Sequence, residues 1–313
     1  VYKRQKEDDS VEILSGVFEG KTTGTPISLV VYNKNQQSKD YSEIASYYRP
    51  GHADYTFDMK YGFRDYRGGG RSSGRETIGR VAAGAIAVKI LDQLGIRLMT
   101  YSKSIGPIAC DLHHFDAEEI LKNPVYMPDA DAAENAMAYL EACIAEQNSS
   151  GGVVECIISG VPAGIGDPVF EKLNANLAKA VMSIGAVKGF EIGDGFDVAK
   201  ATGKNNNDAF RIGADGSVSK ETNHAGGILG GMSDGSPIVF RAAIKPTPSV
   251  ASTQKTINKN GEEIEINIKG RHDPIIVPRA VVVVESMAAI TIFDAMLSNM
   301  SARMDGIKDF YKK

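Results

Sequence analysis

The sequence has 313 residues, a mass of 33.5 kDa and a formal net charge of −4. Hydrophobic residues make up 42% and charged residues 24%, which is close to the globular average and excludes a wholly disordered chain. The slightly acidic balance argues against a bulk electrostatic attraction to nucleic acid or to anionic membranes. The most apolar stretch, Ala280–Met296, is interrupted by Glu285 and Asp294, so we predict no membrane span.

The numbers and positions of cysteine and glycine indicate the redox compartment and the kind of backbone to expect. Cys110, Cys143 and Cys156 are few, odd in number and widely separated, which favours a reduced cytoplasm over an oxidised secreted scaffold. Glycine is in excess, with 33 residues that fall in clusters. Clustered glycines indicate that the backbone lies close to a ligand or adopts special turns.

The first residues do not fit the rest of the sequence. Val1–Gln5 read as one translated frame of a common sequencing-library adapter, and strand-like residues follow almost at once. We therefore interpret Val1–Gln5 as non-native and expect native sequence upstream of Lys6.

The predicted elements run from strands through helices and back to strands. The predicted strands are Val11–Phe18, Ile27–Tyr32, Val153–Ser159, Pro237–Lys245 and Glu262–Lys269, and the predicted helices are Glu76–Leu94, Asp129–Gln147, Pro168–Ile184 and Ala280–Met304. Asn33–Arg75 is a long polar stretch of the kind that is usually functional, and Lys200–Glu221 is predicted to be a flexible excursion. No fixed-period repeat or linker divides the sequence, so we predict one α+β domain over residues 1–313.

The strongest candidate site lies in the long polar stretch. Arg49–Asp54 and Arg64–Thr77 contain five arginines within 27 residues, interleaved with glycines, two serines and a histidine, and they lead into a helix. Helix N-termini and arginine forks both bind oxyanions, so this pattern predicts a site for a polyanionic small molecule. The alternative is an exposed Arg/Gly loop that binds RNA.

Three shorter segments carry weaker signals. Asn223–Gly231 has four glycines around two aliphatic residues, which fits either a backbone packed against a planar ligand or a tight turn. Lys245–Ser249 places a lysine and two hydroxyls on a proline-stiffened loop, which suits a terminal phosphate or a generic turn. Lys269–Pro274 contains His272 and Asp273 beside an arginine, which suits acid–base work or a solvated turn.

Together these segments resemble the chorismate synthases, and the resemblance covers nearly the whole sequence. The matching strings are Ile13–Gly20, Thr22–Pro26, Arg49–Asp54, Tyr61–Ser73, Ser159–Gly164, Glu191–Phe196, Asn223–Gly231, Lys245–Ser249 and Arg271–Pro274. The resemblance implies a β-α-β sandwich, with long helices packed between antiparallel sheets, and a homotetramer. It also implies a 1,4-elimination of phosphate from 5-enolpyruvylshikimate 3-phosphate, the last common step of aromatic amino acid biosynthesis, that requires reduced FMN without net redox change.

The resemblance also assigns site residues. It implies that His52 and Asp273 are catalytic, as a proton donor and as an aid to proton removal near the flavin, and that Arg49, Arg75 and Arg271 bind substrate. The residues that it implies for the flavin are Arg71, Ser72, Ser73, Gly185, Ala186, Gly230, Lys245, Pro246, Thr247, Pro248, Ser249 and Arg271. No metal is implied. NADPH is a candidate reductant, and the sequence leaves open whether it or an external donor reduces the flavin.

The sequence departs from the family pattern at its start. The family's leader carries a Ser-His-Gly-type motif with a second active-site histidine, and this motif is not in the sequence. We therefore interpret the sequence as an N-terminally truncated copy. The sequence leaves open whether this copy is active or tetrameric, and we expect poor stability or aggregation from the missing leader. Two alternatives stay open, namely the RNA-binding loop protein and a flavin-free lyase that acts on a phosphate ester.

Overall fold

A computed structural model of the chain describes residues 9–33, 43–66, 73–268 and 273–312. The helices in these ranges are α1 Asp54–Tyr61, α2 Thr77–Gln93, α3 Ala130–Ala145, α4 Leu173–Met182, α5 Gly203–Asn206, α6 Val277–Asn299 and α7 Met304–Tyr311. The strands are β1 Glu12–Ser15, β2 Val17–Phe18, β3 Lys21–Thr22, β4 Ser28–Val30, β5 Arg97–Ile105, β6 Ile108–Ala109, β7 Gly152–Ser159, β8 Val187–Ile192, β9 Phe210–Ile212, β10 Val218–Lys220, β11 Ile228–Leu229, β12 Met232–Ser233, β13 Ile238–Ile244, β14 Gln254–Ile257 and β15 Glu263–Ile266. This mixture confirms the predicted α+β class.

The chain divides into two compact units. The first unit comprises Val1–Ala82, Leu140–Ser150 and Pro246–Ile275. The second unit comprises Ala83–Tyr139, Gly151–Lys245 and Ile276–Lys313. The predicted site residues are therefore distributed over both units.

The first unit is built from short antiparallel strand pairs. Strand β1 pairs with β4, β2 with β3, and β14 with β15. The residues before Arg49 lie along the β14–β15 hairpin: Tyr48 N donates to Ile257 O at 3.2 Å, and Lys259 N donates to Ser46 O at 2.9 Å. This pairing fixes the backbone that leads into the arginine-rich segment.

The second unit contains a five-stranded antiparallel sheet in the order β6-β5-β7-β13-β8. Side chains alternate between the two faces of such a sheet. Helix α6 packs against β5 and β7, and α4 packs against α6 and β8. Val154, Cys156 and Ile158 of β7 are fully buried, as is Phe240 of β13, so the core of this unit is centred on the middle of the sheet.

Helix α6 is long and apolar enough to cross a membrane by length and composition alone. The prediction of no membrane span rested on Glu285 and Asp294, which interrupt the apolar stretch but do not exclude the helix by this test. Val277, Val284 and Ile292 of α6 are completely buried, and the helix packs on two strands of the sheet and on α4. These contacts are those of a core helix. A buried core helix can be as long and as apolar as a membrane-spanning helix.

Several elements of the structure have bounds that differ from the predicted ones. The predicted helix Pro168–Ile184 begins only at Leu173, because Val169 has a φ of 68° and Lys172 has a ψ of 138°, and a right-handed helix allows neither. The predicted helix Ala280–Met304 ends at Asn299, and Arg303 is extended ahead of α7. The predicted excursion Lys200–Glu221 is largely ordered, since it contains α5 and the paired strands β9 and β10.

Gly84 of α2 is packed against Ser286 of α6. A Cβ built on Gly84 would lie 2.3 Å from Ser286 Cβ and 2.6 Å from Ser286 Cα. Gly79, in the same helix, would meet no described atom within 4 Å. The two glycines therefore separate a packing requirement from helix propensity.

We predict that Gly84→Ala lowers the free energy of unfolding by about 1–3 kcal/mol, because an extra methyl in a packed contact forces the two helices to shift. Gly79→Ala is the matched control, and its change should be neutral or stabilising by up to about 1 kcal/mol from helix propensity. Urea unfolding followed by circular dichroism measures both. An equal effect of the two substitutions would contradict the packing argument.

Candidate active site

His52 is held in the first unit by both nitrogens of its ring. Nδ1 lies 3.1 Å from Pro50 O, and Nε2 lies 3.1 Å from Ser249 Oγ. A carbonyl oxygen only accepts hydrogen bonds, so Nδ1 carries a proton and donates it. In the neutral ring Nε2 is then the acceptor, and it is the atom that gains or loses the titrating proton. The structure thus joins two predicted site residues that are far apart in sequence.

Asp54 organises the segment around His52. Its carboxylate accepts from Arg49 Nε at 2.8 Å and from Arg49 Nη2 at 2.9 Å, which is the bidentate geometry of a strong pair. Arg64 Nη1 lies 2.8 Å from the same carboxylate. Asp54 is 8% exposed and the Arg64 side chain 5%, so these charges are largely shielded from water.

The same interactions determine the pKa of Asp54. Burial raises the pKa, but hydrogen bonds from Arg49 and the charges of Arg49 and Arg64 lower it by more, to about 2. Asp54 lies in the predicted motif Arg49–Asp54, but the sequence motif assigned it no role. It did not identify Arg64 as a partner, and the only available signal was that both lie in the same arginine-rich stretch.

Arg64 and Asp58 extend this cluster. Arg64 Nη2 donates to Ile44 O at 2.5 Å and to Tyr47 O at 2.8 Å, and its guanidinium lies over the Tyr48 ring at 5.5 Å. Asp58, also buried, lies 3.3 Å from Lys259 Nζ. Arg64 is therefore a structural cation that ties α1 to the backbone preceding Arg49.

The predicted loop Lys245–Ser249 is divided between the two units: Lys245 belongs to the second unit and Pro246–Ser249 to the first. Ser149 Oγ donates to Thr247 O at 2.7 Å and fixes the loop backbone. Thr247 Oγ1 is buried and has no hydrogen-bond partner among the described residues. A buried hydroxyl without a partner is costly, and it suits contact with a bound polar group.

Ser73, Arg75 and Asp273 are the other predicted site residues of the first unit that the structure describes. Ser73 Oγ accepts from Arg75 N at 3.3 Å at the turn that precedes α2. Asp273 is half-buried, and the next residue accepts a hydrogen bond through Pro274 O from Ser150 N at 2.8 Å. Arg71, Ser72 and Arg271 lie outside the described residues.

In the second unit, two of the predicted flavin segments meet. Lys245 N donates to Ala186 O at 3.0 Å, and Ala186 has a φ of 73°, which is strained for a residue with a Cβ. Gly185 and Gly230 face open space, since a Cβ on Gly185 would meet no described atom within 4 Å and one on Gly230 would come no closer than 3.7 Å to Met232 Cε.

The other glycines of the Asn223–Gly231 segment serve the chain's own packing. A Cβ on Gly226 would lie 2.3 Å from Gly193 N, and one on Gly227 would lie 2.5 Å from Pro237 O. A Cβ on Gly231 would lie 2.5 Å from Asp167 O. The tight-turn interpretation therefore accounts for these three glycines, and Gly230 stays available to a ligand.

The second unit also contains a cavity of about 760 Å³ that sequence reasoning did not identify. Phe190, Phe196 and Leu229 line its apolar part, and His224 lines its polar edge. His224 Nδ1 lies 2.6 Å from Asp194 Oδ2. Its lining includes His224, Ala225, Ile228 and Leu229 of the predicted segment Asn223–Gly231. Among the described residues, the lining contains none of those to which the resemblance assigns catalysis, substrate binding or flavin binding, so its size does not identify it as the catalytic centre.

Comparison with known proteins identifies the family of this chain. The family model described as chorismate synthase matches residues 1–297. A chorismate synthase of Agathobacter rectalis is 76% identical over 99% of this chain and 84% of its own length, and one of Lachnoclostridium phytofermentans is 67% identical over the same shares. A solved structure titled "Crystal Structure of Chorismate Synthase" has a TM-score of 0.74 and 31% identity, and the match covers 96% of this chain and 82% of that one.

The α+β fold and these relatives place the chain among the lyases of aromatic amino acid biosynthesis. The chain belongs to the chorismate synthase family. The alternative of an RNA-binding Arg/Gly loop finds no support in the comparisons.

The Asp54 cluster gives a stability prediction with a defined pH dependence. A carboxyl whose pKa is lowered on folding contributes stability above its unfolded pKa of about 3.9 and loses that contribution as the pH falls through its folded pKa. We predict that Asp54→Asn lowers the free energy of unfolding by about 3 kcal/mol at pH 7, because it leaves two arginines uncompensated. The difference from the unmodified chain should shrink between the unfolded pKa and the folded pKa of about 2.

Urea unfolding at a series of pH values measures this difference. Asp197→Asn is the control, because Asp197 forms an exposed pair with Lys200 and such pairs contribute about 0–1 kcal/mol. An Asp54→Asn difference that does not change with pH would contradict the assignment.

Proposed function

We propose that this chain converts 5-enolpyruvylshikimate 3-phosphate to chorismate in a 1,4-elimination that requires reduced FMN. Membership of the chorismate synthase family supports the reaction. The observation that carries the residue assignment is the hydrogen-bonded pair of His52 and Ser249, because it joins two segments for which the family resemblance implies catalysis and flavin binding.

His52 is the proposed proton donor. Its Nδ1–H is directed to Pro50 O, so Nε2 is the atom that titrates. When protonated, Nε2 can donate a proton to the phosphate as the carbon–oxygen bond breaks, or to the flavin. In the neutral ring Ser249 Oγ donates to Nε2, and in the protonated ring it accepts from Nε2–H until a substrate oxygen takes its place as acceptor.

Arginines are the proposed counter-ions of the phosphate and carboxylate groups of the substrate. Arg49 uses Nε and Nη2 to bind Asp54, which fixes the plane of the guanidinium and leaves its Nη1 edge for the contact proposed with substrate. Arg75 lies at the turn before α2. Fixed cations at the position where negative charge develops stabilise the transition state without reorganising during the reaction.

The described residues fit a flavin with a phosphate group. Thr247 Oγ1 is a buried hydroxyl with no partner among the described residues, and Gly230 and Gly185 leave room beside the backbone. We propose that Thr247 and Ser249 bind FMN in the first unit, and that Gly185, Ala186, Gly230 and Lys245 bind FMN in the second. Bound reduced FMN would supply electron density to the substrate while phosphate leaves.

Asp273 is the proposed aid to removal of the substrate proton. It is half-buried, and the chain beside it is fixed through Pro274 O. A carboxylate can accept a proton or relay it to a neighbouring acceptor. The reaction then balances: one carbon–oxygen bond and one carbon–hydrogen bond break, a carbon–carbon double bond forms, and phosphate and a proton leave.

We propose a homotetramer in the cytoplasm. The second unit exposes large apolar side chains, including Phe196, Phe210 and Ile212, and surfaces of this kind are commonly covered by assembly. Cys110, Cys143 and Cys156 are all free and buried, which is compatible with a reducing compartment.

The test is anaerobic turnover of 5-enolpyruvylshikimate 3-phosphate with chemically reduced FMN, followed by chorismate absorbance. Chemical reduction makes the result independent of whether NADPH or another donor normally reduces the flavin. We predict turnover with reduced FMN and none without it, by a species whose mass by light scattering corresponds to four chains. Turnover without flavin would support a flavin-free lyase instead.

We predict that His52→Gln lowers kcat by about 10²–10⁴-fold, the usual contribution of a general acid. The control is His113→Gln, because His113 is exposed on a turn of the second unit and should leave kcat unchanged. Equal rates for His52→Gln and the unmodified chain would remove His52 from the mechanism.

A further inference from the structure

Lys220 forms a buried ion cluster that neither the sequence motifs nor the proposed chemistry uses. Its Nζ lies 2.6 Å from Asp234 Oδ2 and 3.2 Å from Asp208 Oδ2. The three side chains are 2%, 6% and 3% exposed, respectively. One ammonium therefore compensates two carboxylates that are almost wholly removed from water, an arrangement that is costly to disturb.

The cluster is tied to the backbone on the N-terminal side of the β11–β12 hairpin. Asp208 accepts from His224 N at 2.8 Å and from Ala225 N at 3.0 Å. Asn223 Oδ1 lies 3.5 Å from Lys220 Nζ and accepts from Gly227 N at 2.8 Å. These bonds fix the residues that lead into β11.

The cluster is also tied to the backbone on the C-terminal side of the hairpin. Asp234 immediately follows β12, and its Oδ1 accepts from Ser236 N at 2.9 Å. Asp234 N donates to Gly227 O at 3.0 Å and closes the two sides on each other. Lys220 therefore joins both arms of the hairpin.

The tip of this hairpin is the two-residue turn Gly230–Gly231. Their φ values are 63° and 95°, as a tight hairpin turn with positive φ at both positions requires. Each strand of the hairpin has only two residues, so the strand pairing alone cannot hold the turn in one shape. Leu173 N donates to Gly231 O at 2.8 Å and Ser233 N to Ile165 O at 2.9 Å, and the buried cluster adds a constraint at the base of the hairpin.

We propose that Lys220 is a positioning residue for FMN binding, which holds the Gly230 turn in its flavin-binding shape by joining Asp208 and Asp234. This inference rests on the proposed function, because the role of Gly230 in flavin binding belongs to that proposal. Lys220 itself does not touch the flavin in this scheme. Its effect passes through the backbone of residues 223–234.

The first test is Lys220→Met, which keeps an unbranched side chain one heavy atom shorter and removes the charge. Amide hydrogen exchange should accelerate by about tenfold or more at Ala225 and Gly227, because the two carboxylates lose their counter-ion and the arms separate. The dissociation constant for FMN should rise by a similar factor with an unchanged number of binding sites. A merely destabilised chain would instead lose binding sites at an unchanged dissociation constant.

Lys122→Met is the matched control. Lys122 also faces two carboxylates, Glu118 at 3.9 Å and Glu119 at 3.3 Å, but its side chain is 54% exposed. Neither exchange at the hairpin nor FMN binding should change in this variant. Adding Asp234→Asn to Lys220→Met should recover part of the affinity, because it removes one of the uncompensated charges.

The outcomes separate the two proposals. No FMN binding by the unmodified chain overturns the proposed function, whereas the exchange measurement still decides whether Lys220 holds the hairpin. Binding by the unmodified chain, with exchange and affinity unchanged in Lys220→Met, overturns the positioning role. If Lys220→Met does not fold, Asp234→Asn decides the question: about a threefold rise in the dissociation constant is expected from one weakened buried bond, and an unchanged constant overturns the role.

Discussion

Within each unit, the loops near the proposed site residues depend on one constraint, which is that a carboxylate removed from water must be compensated by cations or hydrogen-bond donors. Asp54 meets this requirement with Arg49 and Arg64, and in doing so fixes the segment around His52. Asp208 meets it with Lys220, a hydroxyl and two backbone amides, which lower its pKa well below the usual range although burial opposes them. In each case the compensated carboxylate is bonded to backbone or side chains of a segment that precedes or carries proposed site residues.

This constraint explains why long irregular segments are ordered in the first and second units. Backbone groups in loops must find partners, and short strands supply few of them. Arg64 supplies donors to two backbone carbonyls ahead of Arg49, and Asp208 accepts from two amides ahead of β11. These charges stabilise the fold, whereas His52 Nε2 and Thr247 Oγ1 are the groups to which we assign roles in the proposed chemistry.

The sequence predicted the α+β class and most of the long helices, because hydrophobic periodicity and caps are local signals. It missed β5, whose polar residues Thr100 and Ser102 are buried by partners distant in sequence, and it misjudged Lys200–Glu221. The polar, Gly/Asn-rich composition of this segment is typical of a flexible loop, whereas the buried ion pair of Lys220 with Asp234 fixes it in the structure. Motif resemblance placed His52 and Ser249 in one site, but their 3.1 Å contact and the Asp54 cluster required the tertiary structure.

The most direct test of this account is hydrogen-exchange footprinting of the chain with FMN and 5-enolpyruvylshikimate 3-phosphate added together. The account predicts slower exchange around Gly230, around Thr247 and Ser249, and around His52, with no comparable change at an exposed control segment such as the turn of His113. Protection confined to the cavity lined by Phe190, Phe196 and His224, with none at the predicted residues, would contradict it.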